Sequence, residues 1–273
     1  MSISFIHFFQ KGRRFFIVAA IFTLSLLISK SVLGQDVKVF QAAGPSADSI
    51  QSSVDQFRNA LGGINNNNNP GPLVSGRREI NWDGGGSLAT AVGATPFDVF
   101  LNNRGNRSVT PGTGFVQATP AGLATLFGVP SYATTFQPFS PSRLFSAIGS
   151  NVSVETFFVP GTAGSTQAVT KGFGVVFSDV DQPDGSGPAT KRGNRHASTL
   201  VEYLDVNGNS LFSSFVPASP GDASLSFFGI VLNDARIASV RITSGGAALG
   251  ADDDTDDVVV MDDFIYGEPH AIQ

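Results

Sequence analysis

The chain has 273 residues, 22 acidic against 17 basic, and no cysteine. The acidic balance excludes electrostatic capture of nucleic acid or of an anionic membrane surface as its main business. The lack of cysteine excludes a disulfide framework, a thiol nucleophile and thiolate metal sites, so stability must come from a core or from ions.

Residues 1–34 have the features of a secretory leader. Lys11, Arg13 and Arg14 lead into an apolar run over residues 15–28, short for a bilayer span. Val32, Leu33 and Gly34 set small or modest residues before an expected cut ahead of Gln35. The protein is therefore expected outside the cytoplasm, secreted or at the cell surface, with no membrane span once the leader is removed. An uncleaved anchor is the alternative. The leader contains Lys11, Arg13, Arg14 and Lys30 but no acid, so its removal sharpens the acidic excess.

Residues 35–72 read as a helix followed by a linker. Ile50, Val54, Phe57 and Leu61 recur at i, i+4, i+7 and i+11, one face of a helix over residues 46–61. Ser46 or Asp48 suits its start, and Gly62 and Gly63 stop it. Its expected place is the outside of a β domain. The run Asn65 to Asn69, followed by Pro70, Gly71 and Pro72, reads as a solvated loop or linker.

From residue 73 to 273 the pattern is of short strands and tight turns. The 31 Gly, 15 Pro and 24 Phe fit such a domain. Strands are predicted over residues 77–82, 97–101, 114–118, 152–159, 172–180, 199–205, 210–216, 225–232, 237–243 and 258–266. In the fourth, Val152, Val154 and Phe158 fall on one face, Ser153 and Glu155 on the other. Asn207-Gly208 is the strongest hairpin signal, read as a type I′ turn. Many strands without helical spacers predict an all-β, antiparallel sandwich of jelly-roll type with one N-terminal helix packed outside.

Chemistry-bearing residues are sparse. Asp262 and Asp263 lie inside an apolar strand. A carboxylate buried there needs a cation, a basic side chain or several backbone N–H groups. Strand alternation would send one to each face, so the two are not expected to ligate one ion together. Asp252, Asp253, Asp254, Asp256 and Asp257 precede them, and Asp179 and Asp181 form a second cluster. Calcium takes roughly six to eight oxygens, mostly carboxylate and carbonyl. Asp262, Asp263, Asp179 and Asp181 are thus the candidate calcium ligands, against the readings of a solvated loop, a capped turn or a salt bridge.

Trp82, the single tryptophan, stands beside Glu79 and Asp83. An exposed Trp among polar groups would stack on a sugar; a core Trp is the alternative. Glu79 and Asp83 also form the one carboxylate pair that suits a polysaccharide hydrolase. Residues 191–196 form a basic patch with His196. There is no G-x-S-x-G serine motif and no phosphate-cradling G-K-[ST]. Asn106 and Asn151 fit the N-glycosylation pattern.

The second half carries an ordered series: Gly172-Phe173-Gly174, then Asp179 and Asp181, Asp205 to Asn209, Phe227-Phe228-Gly229, and Asp262-Asp263-Phe264. The series resembles the galactose-binding-like jelly-roll modules of secreted bacterial proteins, including ectodomains sorted by a Pro-Glu-Pro signal, over residues 172–267. No apolar helix with a basic tail follows Gly267-Glu268-Pro269, a departure from the sorted members. The resemblance implies the fold, often a structural calcium ion near the closing strand, and sometimes glycan binding. It implies no catalysis. The expected function is a secreted, non-enzymatic, calcium-stabilised β-sandwich that binds extracellular or cell-surface glycan. The alternatives are the hydrolase and a purely structural or adhesive exoprotein.

Overall fold

The computed structural model describes residues 37–182, 199–250 and 256–272. Its elements in chain order are β1 (Lys38–Gly44), α1 (Ala47–Leu61), β2 (Arg77–Ile80), β3 (Ala91–Gly93), α2 (Leu101–Arg104), β4 (Asn106–Val109), β5 (Gly114–Ala118), α3 (Pro120–Phe127), α4 (Tyr132–Thr135), β6 (Leu144–Ile148), β7 (Val152–Phe157), β8 (Ala168–Val169), β9 (Gly172–Ser178), β10 (Leu200–Leu204), β11 (Ser210–Phe215), β12 (Leu225–Val231), β13 (Ser239–Thr243), β14 (Val260–Gly267) and β15 (His270–Ala271). The large sheet runs β1-β12-β9-β14-β6-β5-β3, with β2 beside the second half of β14. The small sheet runs β11-β10-β13-β7-β4. All strands pair antiparallel, so the protein is an all-β sandwich compatible with a jelly roll.

The core forms between the two sheets. Phe173 and Phe177 of β9, Phe228 and Ile230 of β12, and Phe264 and Tyr266 of β14 meet Val201, Tyr203, Val240, Ile242 and Phe157 of the small sheet. The outer face of the large sheet is also covered. On one half, Ile50, Val54, Phe57 and Leu61 of α1 lie on Val176, Leu225, Phe227 and Ile265. The predicted helix is there, starting after Ser46 and stopping at Gly62. Phe57 sits edge-on to Phe40 and Phe227, at 5.5 and 5.4 Å between ring centroids. Beneath it Gly174 and Gly229 face each other across two central strands. A Cβ at Gly174 would come within 2.7 Å of the Phe57 ring, so these strand glycines make the seat for the helix. On the other half, Leu123, Tyr132 and Phe136 cover Val116, Leu144 and Val260.

Two expectations are corrected and a third is refined. Residues 97–101 make no strand: Phe97 forms one bridge with Ser108, and the short helix α2 follows. In β7 the alternation holds, but Ser153, Glu155 and Phe157 are the buried face. The polar pair turns inward because Ser108 and Asn106 of the neighbouring β4 donate to the Glu155 carboxyl. The Asn-rich run is a loop with Asn67 to Asn69 exposed, as expected, but it is fastened to the sandwich. Buried Arg78 donates through Nη1 to the carbonyls of Asn67 and Asn69, each at 2.7 Å, and Asn103 at 3.2 Å. Its Nε and Nη2 donate to both oxygens of Glu268 at 2.7 Å each. Asn66 Nδ2 and Leu73 N–H donate to the same carboxylate. One guanidinium thus fastens the loop to the end of β14. With β1 paired to β12 and α1 on the sheet, residues 37–72 are part of the sandwich rather than an appendage.

The hairpin of β10 and β11 lies where predicted, with a different turn. Only Gly208 takes positive φ, at 79°. Gly208 N–H donates to the Asp205 carbonyl, and Asp205 N–H to the Asn209 carbonyl. This is a type I turn closed by a left-handed glycine rather than a type I′ turn. The register is Tyr203↔Phe212 and Leu204↔Ser210, with a bulge between them. The Asp205 carboxylate accepts from the backbone N–H of Asn207 and Asn209, both at 2.8 Å, which fixes the turn. A Cβ at Gly208 meets nothing within 4 Å, so Gly208→Val is opposed by backbone conformation alone. It is expected to cost about 1–2 kcal/mol, read as a lower urea midpoint at unchanged slope; an unchanged midpoint would refute the turn.

Candidate functional site

β14 changes partners along its length. Met261 pairs with β6, and Phe264 to Gly267 pair with β2. Between them the pairing to β9 slips at Asp262 and Asp263. A slip of this kind breaks the two-residue alternation. Both carboxylates therefore meet one group, the Ser140 hydroxyl, which lies 2.6 Å from Asp263 Oδ1 and 3.4 Å from Asp262 Oδ1. This corrects the expectation of opposite faces. Asp262 is fully buried and accepts the backbone N–H of Phe139 at 2.6 Å and of Ser140 at 3.2 Å. Asp263 is 3.4 Å from Nη2 of Arg58 on α1. Arg58 also pairs with Glu79, which pairs with Arg77.

The electrostatics follow from this crowding. Burial first, and the neighbouring Asp263 charge second, hold the Asp262 carboxyl well above the usual carboxylate range. Burial also raises Asp263, to about 6, against the pull of the Ser140 hydroxyl and Arg58. Burial thus favours the neutral form of both carboxyls, Asp262 the more strongly. Backbone N–H groups, a hydroxyl and an arginine supply what the sequence required of a partner. Asp262 and Asp263 thus find their partners within the protein.

The Trp82 group is internal as well. Trp82 is 1% exposed and stacks on Phe145 at 3.7 Å between centroids. Its indole N–H donates to the Asp262 carbonyl at 3.0 Å. The expected sugar-stacking tryptophan is corrected to a core residue, because the aromatic stack of Phe145 and Phe115 extends to it. Asp83 accepts the backbone N–H of Ser142 and Arg143, and Glu79 is engaged by two arginines. Both carboxylates are thus engaged by groups of the protein itself. The glycosylation reading fares no better: Asn106 is 2% exposed, and Asn151 donates its side-chain amide to the Gly245 carbonyl.

Asp179 and Asp181 lie elsewhere. β12, β9 and β14 are neighbours and antiparallel, so the exit of β9 and the entries of β12 and β14 share one end of the sheet. Each carries aspartate just outside the strand. Asp179, Asp181, Asp222, Asp256 and Asp257, with Thr135 and Val258, line a cavity of about 150 Å³. Asp181 accepts the Gly221 N–H at 2.7 Å. Asp257 is only 8% exposed, and neither of its oxygens reaches a hydrogen bond of normal geometry. The backbone amides of Asp181 and Gln182 lie near it and relieve it only in part. Burial, then the Asp181 charge, push the Asp257 carboxyl up to about 7. Among the described residues, no three carboxylate or imidazole groups converge tightly enough, as they stand, to hold a metal ion. The basic patch at 191–196, the leader at 1–34 and Asp252 to Asp254 lie outside the described residues.

No family model, curated protein or solved structure matches the chain. The sandwich, compatible with a jelly roll, therefore stands on its own geometry, and no match identifies it as a galactose-binding-like module. Among the described residues no helix is long and apolar enough to cross a membrane. The site residues that the sequence reading missed are Arg58, Ser140 and Asp222; Asp256 and Asp257 were noted in the acidic run but not placed among the candidate ligands. Arg58 directly follows the buried Phe57 on the predicted helix, and that adjacency was its one available signal.

Proposed function

We propose that the protein is an exported, non-enzymatic β-sandwich whose folded state binds a divalent cation, calcium by its oxygen donors, in the cavity of Asp179, Asp181, Asp222, Asp256 and Asp257. The observation that carries this reading is Asp257, whose buried carboxylate lies beside other carboxylates and is relieved only in part by the backbone amides of Asp181 and Gln182. Such a group is costly unless it is protonated or meets a cation. A hard cation with oxygen ligands suits a ring of aspartates and a nearby threonine. Binding would draw the carboxylates together by side-chain rotation and tie the exit of β9 to the entries of β12 and β14. The leader-like residues 1–34 support export.

A ligand that binds only the folded state at a hundredfold excess over Kd adds about 2.7 kcal/mol. Melting in millimolar calcium is expected to exceed melting in chelator by roughly 5–10 °C. Asp257→Asn should abolish that difference while raising the melting temperature in chelator, since it removes the buried charge. Equal wild-type melts in calcium and chelator would overturn the reading.

A further inference from the structure

The two sheets have five edge strands, β1, β2 and β3 on the large sheet, β11 and β4 on the small one. An edge strand offers unpaired backbone groups, and proteins guard such edges with charge, proline or shortness. Four of the five are guarded. β2 carries Arg77 and Arg78, paired with Glu79 and Glu268. β1 opens with Lys38 and runs against α1. β3 is three residues long. β4 carries Arg107, held in a two-pronged pair with Asp98 at 2.7 and 2.8 Å. β11 differs: its six residues, Ser210 to Phe215, include no charge and no proline. Ser210 and Ser213 are exposed, and Phe215 is 40% exposed. Among the described residues no strand pairs with its outer side.

We propose that β11 is a self-association edge, to which the β11 of a second copy of this chain adds antiparallel, joining two small sheets into one. The faces of the strand restrict the register. Phe212 and Ser214 oppose the buried Tyr203 and Val201, so they face the core; Ser213 and Phe215 oppose Glu202 and Leu200 and face outward. A copy related by a two-fold axis must pair outward residues with outward ones. Registers centred on Phe212 and on Ser213 both do so; the one centred on Ser213, which brings Phe215 into the pairing, sets Ser213 against Ser213, Phe212 against Ser214, and Leu211 against Phe215. Each exposed Phe215 then gains an aliphatic neighbour, and no charge is buried. That last point selects the site on a chain with 22 acidic and 17 basic residues, because two copies meet where neither brings a charge.

The test uses the absence of native cysteine. Opposed residues of an antiparallel pair have Cα atoms about 4.5–5.5 Å apart, within the range a disulfide accepts. Under mild oxidation Ser213→Cys should give a disulfide-linked dimer roughly tenfold faster or more than Ser52→Cys, an exposed position on α1. Sedimentation of the wild type over a concentration series should show a reversible dimer. Ser213→Lys should remove it without changing the melting temperature of the monomer. A wild type that stays monomeric throughout, or a Ser213→Cys chain that cross-links no faster than Ser52→Cys, would overturn the proposal. So would a dimer that survives Ser213→Lys.

Discussion

Arg78→Met is expected to destabilise the protein by about 3–5 kcal/mol, the range for breaking one side of a buried ion pair. Arg78 and Glu268 are 0% and 3% exposed, so the abandoned carboxylate would stay in the interior. The loss also frees the carbonyls of Asn67, Asn69 and Asn103, which one guanidinium satisfies together. In a chain of this length the melting temperature should fall by roughly 10–20 °C. Arg78→Lys should restore little, because an ammonium cannot present the planar fork that spans the carboxylate and reaches the loop. Adding Glu268→Gln to Arg78→Met should recover part of the loss by removing the stranded charge. A loss below about 1 kcal/mol for Arg78→Met would show that the loop and the strand end hold without the pair.

Glu155→Gln should make the protein more stable, and only above mildly acidic pH. Glu155 is fully buried on β7, with Ser108, Asn106 and Ser153 as donors and Tyr266 nearby. One carboxyl oxygen has no partner, and no cation faces it among the described residues. Burial raises its pKa from 4.5 to about 7, partly opposed by the three donors. A raised carboxyl pKa means that the folded state holds the proton more tightly than the unfolded one. The stability this proton contributes is complete below about pH 4.5 and is lost as pH rises through about 7. The shift corresponds to about 3 kcal/mol between those limits. Glutamine is close in shape to the neutral acid and does not titrate. Wild type and Glu155→Gln should therefore match near pH 4.5, and the variant should lead by up to about 3 kcal/mol at pH 8. Urea titrations at those two pH values decide it. A difference that does not change with pH would rule out a neutral Glu155.

The sandwich was legible because its inner strands are long apolar runs. Residues 172–180 and 225–232 read as central strands and are β9 and β12. The helix was legible because four apolar residues share one face. What was lost depends on neighbours that lie far apart in the chain. β4 contains Asn106, Arg107 and Ser108, which carry no strand signal; it pairs because β7 lies beside it. The inward face of β7 looks polar until its donors are known. The carboxylates of β14 called for a partner, and the sequence listed the kinds. It could not name Arg58, which is 205 residues away. Alternation failed at the one place where β14 exchanges β6 for β2, and no local pattern announces a change of partner. The acidic cavity was half legible. Asp179 and Asp181 were singled out, but Asp222 joins them only through the order β12-β9-β14.

That strand order also governs when the structure can exist. β14 follows every other strand of the large sheet along the chain, yet it lies between β9 on one side and β6 and β2 on the other. Until residues 260–267 are present, the large sheet is two separate ribbons, β1-β12-β9 and β6-β5-β3, with an open seam and with β2 joined to neither. The inner apolar surface of each ribbon lacks Phe264 and Tyr266, and Arg78 lacks Glu268. Contacts of such long sequence separation make folding slow and cooperative. A chain handled from its N-terminus onward, whether by a ribosome or by a narrow pore, would remain pliable for most of its passage. It would then close like a zip whose slider arrives last.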